Sequence, residues 1–196
     1  MADYDERTAL VVVDVQNDFA HPDGSLYVDG AAAAIARTNE EIGRALEGGA
    51  LVAYSQDWHP EHTPHFAQDG GVWPVHGVAD SWGAELHADL AVAEGAPRVR
   101  KGADGSDGYS AFSQRDPQSG EEEATELEAL LRDRGVEHVV ITGLATDYCV
   151  KETALDACRL GFTTTVIAEA ISAVNLEPGD GERALAAIRE AGATIE

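Results

Sequence analysis

The sequence predicts an α/β fold, a doubly wound and mainly parallel sheet held between two layers of helices in a three-layer α/β/α sandwich. Short apolar runs rich in β-formers alternate with longer segments of helical spacing. Those runs are near-continuous in hydrophobicity rather than alternating, as strands buried on both faces are. A chain of 196 residues, 44% hydrophobic, is long enough for one well-buried core, so residues 1–196 are expected to form a single domain.

The strands are expected at "TALVVVDV" (8–15), "ALVAYS" (50–55), "RVRK" (98–101), "HVVITG" (138–143) and "FTTTVIA" (162–168), with "ATI" (193–195) as an added edge. Between them, helical spacing falls on "AAAAIARTNEEIGRALEGG", "ATELEALLRDRG", "DYCVKETALDACRLG" and "GDGERALAAIREAG", where glycine supplies the stop signal. The alanine run 31–34 is explained by helix propensity. Two long gaps break the rhythm: residues 56 to about 82, rich in His, Trp, Pro and Gly, and residues 102 to about 120, rich in Gly, Ser and Asp. Gaps of that length in a compact domain point to function or disorder, and the aromatics and histidines favour function in the first.

The formal charge is −23, and the acidic residues are spread along the chain rather than gathered in a tail. Such a surface repels nucleic acid and anionic membrane leaflets, and neither is an expected partner. No cationic, apolar leader opens the chain and no run of about 18 apolar residues occurs, so a cytoplasmic location is expected. The two cysteines, 149 and 158, lie nine residues apart. On one helix that is a rise of about 13 Å, beyond disulfide reach, so they are separate thiols.

In an open parallel sheet, ligands bind beyond the carboxyl ends of the strands, which makes the polar residues there the first candidates. Asp14 interrupts an otherwise apolar run in "VVVDVQNDF". A solvated strand end would explain it, but no helix is expected at Val15 for it to cap. Asp57 follows the second strand in "SQDWHP". Lys101 ends the third, in a chain whose only other lysine is Lys151. Arg100 beside it indicates that positive charge alone did not require lysine; an ammonium is a compact point charge able to approach a thiolate or carboxylate. Cys149 follows the fourth strand in "GLATDYCVKETAL". If Thr146 or Asp147 caps the next helix, this thiol sits in the first turn, where free amides and the positive end of the dipole favour a thiolate. Cys158, among Ala154, Leu155 and Leu160, is expected to be buried and inert.

Four of the seven histidines lie between 59 and 76 in "DWHPEHTPHFAQDGGVWPVHG", beside Asp57. One carboxylate with several imidazoles suits a divalent transition metal such as Zn, Mn or Fe. Asp57 and His59 share one side of an extended segment, and His65 and His76 could close the site from the returning loop. A lone loop histidine is more often solvated than metallated. His21, His87 and His138 have no such company, and His62 is ambiguous.

Together these segments resemble the cysteine hydrolases of the nicotinamidase and isochorismatase superfamily, over nearly the whole chain. The carriers are "VVVDVQNDF" for the family's acid, "RKG" for its lysine and "GLATDYCVKETALDA" for its nucleophile; "DWHPEHTPHF" with "WPVHG" resembles the metal site of the nicotinamidase branch. The resemblance implies an isochorismatase-like fold, with Asp14, Lys101 and Cys149 as a catalytic triad. It also implies Asp57, His59 and His76 as ligands of a divalent transition metal, with His65 as a fourth contact. A cis peptide at Leu144–Ala145, an oxyanion hole from the amides of Ala145 and Cys149, and a ring pocket lined by Phe19, Trp73 and Tyr109 are implied as well. The pattern departs from many relatives at Gly77, where cysteine is common, at Asp80–Ser81, where Gly-Thr is common, and in a longer Lys101 to Tyr109 loop.

The reaction so implied is hydrolysis of nicotinamide to nicotinate and ammonia through a cysteine thioester, a step of pyridine nucleotide and NAD salvage. A small-molecule amide is the expected partner, and a homo-oligomer is left open. Alternatives are another isochorismatase-like amidohydrolase acting on a different small amide, a nucleotide-binding module, and a scaffold without chemistry. The second is opposed by "DVQNDF" standing where a G-x-G-x-x-G would follow strand one. The acid excess and the scarcity of lysine resemble proteins of salt-accumulating cells, whose self-repulsion is screened at high ionic strength. The melting temperature is therefore expected to rise between low and molar KCl; a flat or falling midpoint would remove the high-salt reading.

Overall fold

The computed structural model describes residues 2–196. Its strands are β1 (Thr8–Val13), β2 (Leu51–Asp57), β3 (Arg98–Lys101), β4 (Ser113–Arg115), β5 (Glu122–Ala124), β6 (His138–Leu144), β7 (Thr163–Ser172) and β8 (Thr194–Ile195). The α-helices are α1 (Asn17–Ala20), α2 (Ala31–Glu47), α3 (Leu127–Asp133), α4 (Lys151–Arg159) and α5 (Asp180–Glu190). Six strands form one sheet in the order β3-β2-β1-β6-β7-β8, with every adjacent pair parallel. The short hairpin β4-β5 stands apart as an antiparallel pair.

Period-two alternation along β1 divides the interior. Leu10 and Val12 point into a core shared with Ile35 and Ile42 of α2, while Ala9, Val11 and Val13 join Leu131, Ala154 and Ile188 from α3, α4 and α5. The sheet thus lies between α2 on one face and α3–α5 on the other, as the continuous apolar runs predict. Among the described residues, no helix is long and apolar enough to cross a membrane.

Several boundaries differ from the sequence reading. β1 stops at Val13, because Asp14 takes a left-handed φ of 48° and turns the chain out of the sheet. A single helical turn, α1, follows two residues after Val15 where none is expected; four residues are too few to display a helical period. β7 runs on to Ser172, across a register shift between Ile141 and Gly143 on β6. Helix α3 begins at Leu127, and Ala124, expected to open it, instead ends the strand β5. Hydrogen bonds to β4 override the helix propensity of its glutamates and alanine.

Crossovers from β1 lead outward to β2 and β3 on one side, and β6 begins the other half, so the sheet's switch point lies between β1 and β6. At this point a crevice opens beyond the strand ends. Gly143 (φ 111°) permits a close approach there: a Cβ would stand 2.1 Å from the carbonyl oxygen of Val13. The ends of β1 and β6, and with them Asp14 and the segment after Leu144, are drawn together.

Candidate active site and metal centre

Three side chains meet at the floor of that crevice. Lys101 Nζ lies 2.7 Å from Asp14 Oδ2 and 3.6 Å from Cys149 Sγ. The sulfur is within 4.8 Å of carboxylate oxygens of both Asp14 and Asp57. Lys101 is only 1% exposed, so its charge is answered entirely by protein groups. Those groups are Asp14, the Tyr109 carbonyl oxygen at 3.1 Å and Asp57 Oδ1, which is in ion-pair contact at 2.7 Å but outside hydrogen-bonding geometry. Ser55 donates to the other oxygen of Asp14 at 2.6 Å.

Cys149 lies in a π-helical turn, Thr146–Val150, that precedes α4. The N-cap is Ala145, not Thr146 or Asp147, and the carboxylate of Asp147 instead accepts the backbone N–H groups of Val174 and Asn175. The peptide Leu144–Ala145 is cis.

Electrostatics correct a second expectation. Burial pushes the Cys149 thiol well above its usual range; Lys101 opposes that rise, and the carboxylates of Asp14 and Asp57 add to it. The helix N-terminus therefore does not yield a resting thiolate. Burial also raises Asp14, against the pull of Lys101. Asp57 is held below the carboxylate range: burial works against this, but Lys101, His59 and His76 outweigh it. Lys101 is raised despite burial by its two carboxylates.

Beside this floor, His59, His65 and His76 are all buried and bring one ligand atom each within 4.8 Å of the others. The loop folds back to do this: His59 pairs with Gly77 and Ala79 through backbone hydrogen bonds of 2.8 Å, and Ala67 donates to the Trp73 carbonyl. Asp18 Oδ2 accepts the Gly77 N–H, anchoring the returning limb. Asp57 Oδ2 faces the same cluster, 3.7 Å from His76 Nε2 and 4.0 Å from His59 Nε2. Burial lowers His76 and brings His59 down to about 4, so both rings carry a free lone pair at neutral pH.

This donor set fits a transition-metal cation. Buried His59 Nδ1 has no hydrogen-bond partner, Asp57 Oδ2 faces the imidazoles, and the ligand atoms need only contract toward the spacing of about 3.4 Å set by tetrahedral zinc. Gly102 (φ 81°) makes room for the cluster, since a Cβ there would lie 2.3 Å from His59 Nδ1. His62 stays outside, exposed and paired with Asp69 at 3.0 Å.

Phe19, Trp73 and Tyr109 all line the pocket above, joined by Leu26, Leu144, Tyr148 and Val174. Trp73 donates its indole N–H to the Tyr109 hydroxyl at 2.9 Å and meets Tyr148 edge-on at 5.0 Å. Sequence reasoning missed Tyr148, Ser55 and Gln16. The last grips Asp57 from both sides: its Oε1 accepts the Asp57 N–H, and its Nε2 donates to the Asp57 carbonyl, each at 2.8 Å. Its place in "VVVDVQNDF", two residues after Asp14, was the available signal. Both cysteines are free, and Cys158 is half-buried rather than buried, against the expectation for it.

A thiol, a carboxylate and an ammonium at the switch point of a doubly wound sheet are the groups that a hydrolase with a cysteine nucleophile requires. The chain belongs to the isochorismatase family, whose domain it matches over residues 8–196. It is 37% identical to the nicotinamidase of Escherichia coli (strain K12), over 95% of this chain and 93% of that one. The pyrazinamidase of Pyrococcus horikoshii, solved in complex with zinc, superposes with a TM-score of 0.87 at 38% identity, covering 97% of this chain and 98% of the other. PnC1 from L. infantum, solved in complex with nicotinate, gives 0.87 at 32% identity, covering 100% of this chain and 95% of the other.

Replacing Lys101 with Met leaves Asp14 and Asp57 buried with no cation between them. In chelator at pH 7 the variant is expected to lose about 3–5 kcal/mol of unfolding free energy. Without the ammonium, both carboxyls have folded pKa values above their unfolded ones, so the deficit is largest at neutral pH and shrinks as acid protonates them. Denaturant melts of both proteins at pH 7 and pH 5 measure this. A deficit that grows at pH 5 contradicts the assignment.

Proposed function

We propose that this enzyme is a metal-dependent amidase that hydrolyses nicotinamide to nicotinate and ammonia, with Cys149 as nucleophile, Asp14 as general base and acid, and Lys101 as their electrostatic partner. The observation that carries the reading is a pocket with aromatic walls and two different polar ends. At one end Cys149 and Asp14 line it, with Lys101 behind them; at the other Asp57, His65 and His76 line it, with His59 behind them. A flat ring with a carboxamide on one side and a lone-pair nitrogen on the other matches both ends at once. The similarity to a nicotinamidase, and to a protein solved with nicotinate, supports the same substrate.

Burial raises both the thiol and Asp14, so the proton passes from sulfur to a carboxylate made more basic by the same crevice, while Lys101 stabilises the charge that moves to sulfur. The thiolate attacks the carboxamide carbon. The amides of Ala145 and Cys149 receive the oxyanion, a type of donor worth about 3 kcal/mol each. Asp14 returns its proton to the departing nitrogen, the C–N bond breaks, and ammonia leaves a thioester on Cys149. Water then attacks the thioester with Asp14 as base, releasing nicotinate and restoring the thiol. Phe19, Trp73 and Tyr109 hold the ring. Asp57, His59, His65 and His76 would hold the metal, which, when bound, supplies a Lewis-acid anchor for the ring nitrogen rather than a nucleophile.

Ammonia release from nicotinamide, assayed in high salt with added Zn or Mn, tests this directly. Cys149→Ala is expected to lose at least about 10⁴-fold in kcat while binding metal as before. His59→Ala is expected to lose the metal and mainly raise KM. Retained turnover in Cys149→Ala, or an unmodified enzyme inert toward nicotinamide with metal bound, would end the proposal.

A further inference from the structure

In a metal-binding imidazole, the partner of the second nitrogen decides whether the first is presented as a lone pair. His76 Nδ1 is 2.7 Å from the Pro74 carbonyl oxygen, which leaves Nε2 free to coordinate. His59 Nδ1 has no partner. His65 Nδ1 lies 2.8 Å from Asp107 Oδ1. Asp107 comes from neither the histidine loop nor the cysteine site, but from the segment after β3 whose composition left its purpose open.

We propose that Asp107 is a positioning residue for the metal centre: by accepting the Nδ1 proton of His65 it fixes the tautomer with a free Nε2, and so makes His65 a coordinating ligand. The inference rests on the metal-site reading above. Asp107 is built for the task. Its backbone is clamped to the end of β4, donating to the Arg115 carbonyl at 2.7 Å and accepting from the Arg115 N–H at 2.5 Å. Oδ1 also accepts the Gly108 N–H at 2.7 Å, so the oxygen that meets His65 cannot swing away without losing a second bond. Two residues on, the Tyr109 carbonyl accepts from Lys101 Nζ, so one short segment sets both a ligand and the ammonium.

The test is a zinc titration of the full chain against a competing chromophoric chelator. Substituting Asp107→Ala is expected to weaken zinc binding 10- to 100-fold, with D107N in between. H65A should lose at least as much, and the double variant D107A/H65A no more than H65A alone, because Asp107 acts through His65. In cobalt-loaded protein, D107A and H65A should change the ligand-field spectrum in the same sense. Melts in chelator separate this from a folding defect, and D107N carries the test if D107A does not fold. Unchanged zinc affinity in folded D107A or D107N, or an additive loss in the double variant, overturns the role of Asp107. Zinc binding that survives H59A, or that is absent from the unmodified protein, overturns the metal-site reading itself and this inference with it.

Discussion

Two buried carboxylates, Asp14 and Asp57, share one buried ammonium, and the rest of the site is arranged around that contact. Two bare anions in a dry crevice would repel, and each would shed its charge by taking up a proton. With Lys101 2.7 Å from both, Asp57 stays ionised and Asp14 can alternate between its two states. Asp57 uses its oxygens differently: Oδ1 meets the lysine, and Oδ2 turns to the imidazoles. It is the physical link between the sulfur end of the pocket and the histidine end. When Asp14 is ionised the trio holds one net negative charge, a further reason for a cation among the neutral imidazoles.

That contact is held in register by the strand ends. Asp57 and Lys101 are direct neighbours in the β2–β3 ladder, and Trp58 donates its backbone N–H to the Lys101 carbonyl just beyond it. On the outside, the Arg100 guanidinium stacks 3.7 Å above the Trp58 ring. The residue beside each key group therefore ties the same two strands. This gives Arg100 and Lys101, adjacent cations, different work: one closes the surface of the ladder, and the other faces inward. It also gives lysine a physical role at 101, since its ammonium is a compact point charge that meets two carboxylates at 2.7 Å and the thiol at 3.6 Å.

The strands and the cysteine, lysine and carboxylate positions were legible because each signal is local. A continuous apolar run marks a buried strand, as in β1 and β6, and the charged residue at or just after the end of β1, β2 and β3 (Asp14, Asp57 and Lys101) marks the carboxyl end. What escaped depends on contacts across the chain. Gln16 looks like an ordinary polar residue until Asp57, 41 positions away, brings its backbone to both ends of the amide. Ser55 matters only because β2 lies beside β1, and Asp107 only because the histidine loop folds back against it. The hairpin β4-β5 escaped because three-residue strands of Ser, Gln, Arg and Glu carry no hydrophobic period.

The thiol is the instructive failure. Position at a helix start argues for a lowered pKa, and the position was read correctly, yet the thiol is pushed up. The helix dipole contributes at most a few kcal/mol within its first turn, whereas burying a sulfur anion between two carboxylates opposes ionisation more strongly. One lysine cannot offset both acids and the loss of water. A neutral resting thiol is nonetheless consistent with the proposed chemistry, because burial in the same crevice also raises Asp14, the proposed base. What catalysis needs is a small difference between two raised pKa values, not a low value for one of them. A neutral thiol is also less open to adventitious oxidants, since the thiolate is the reactive form.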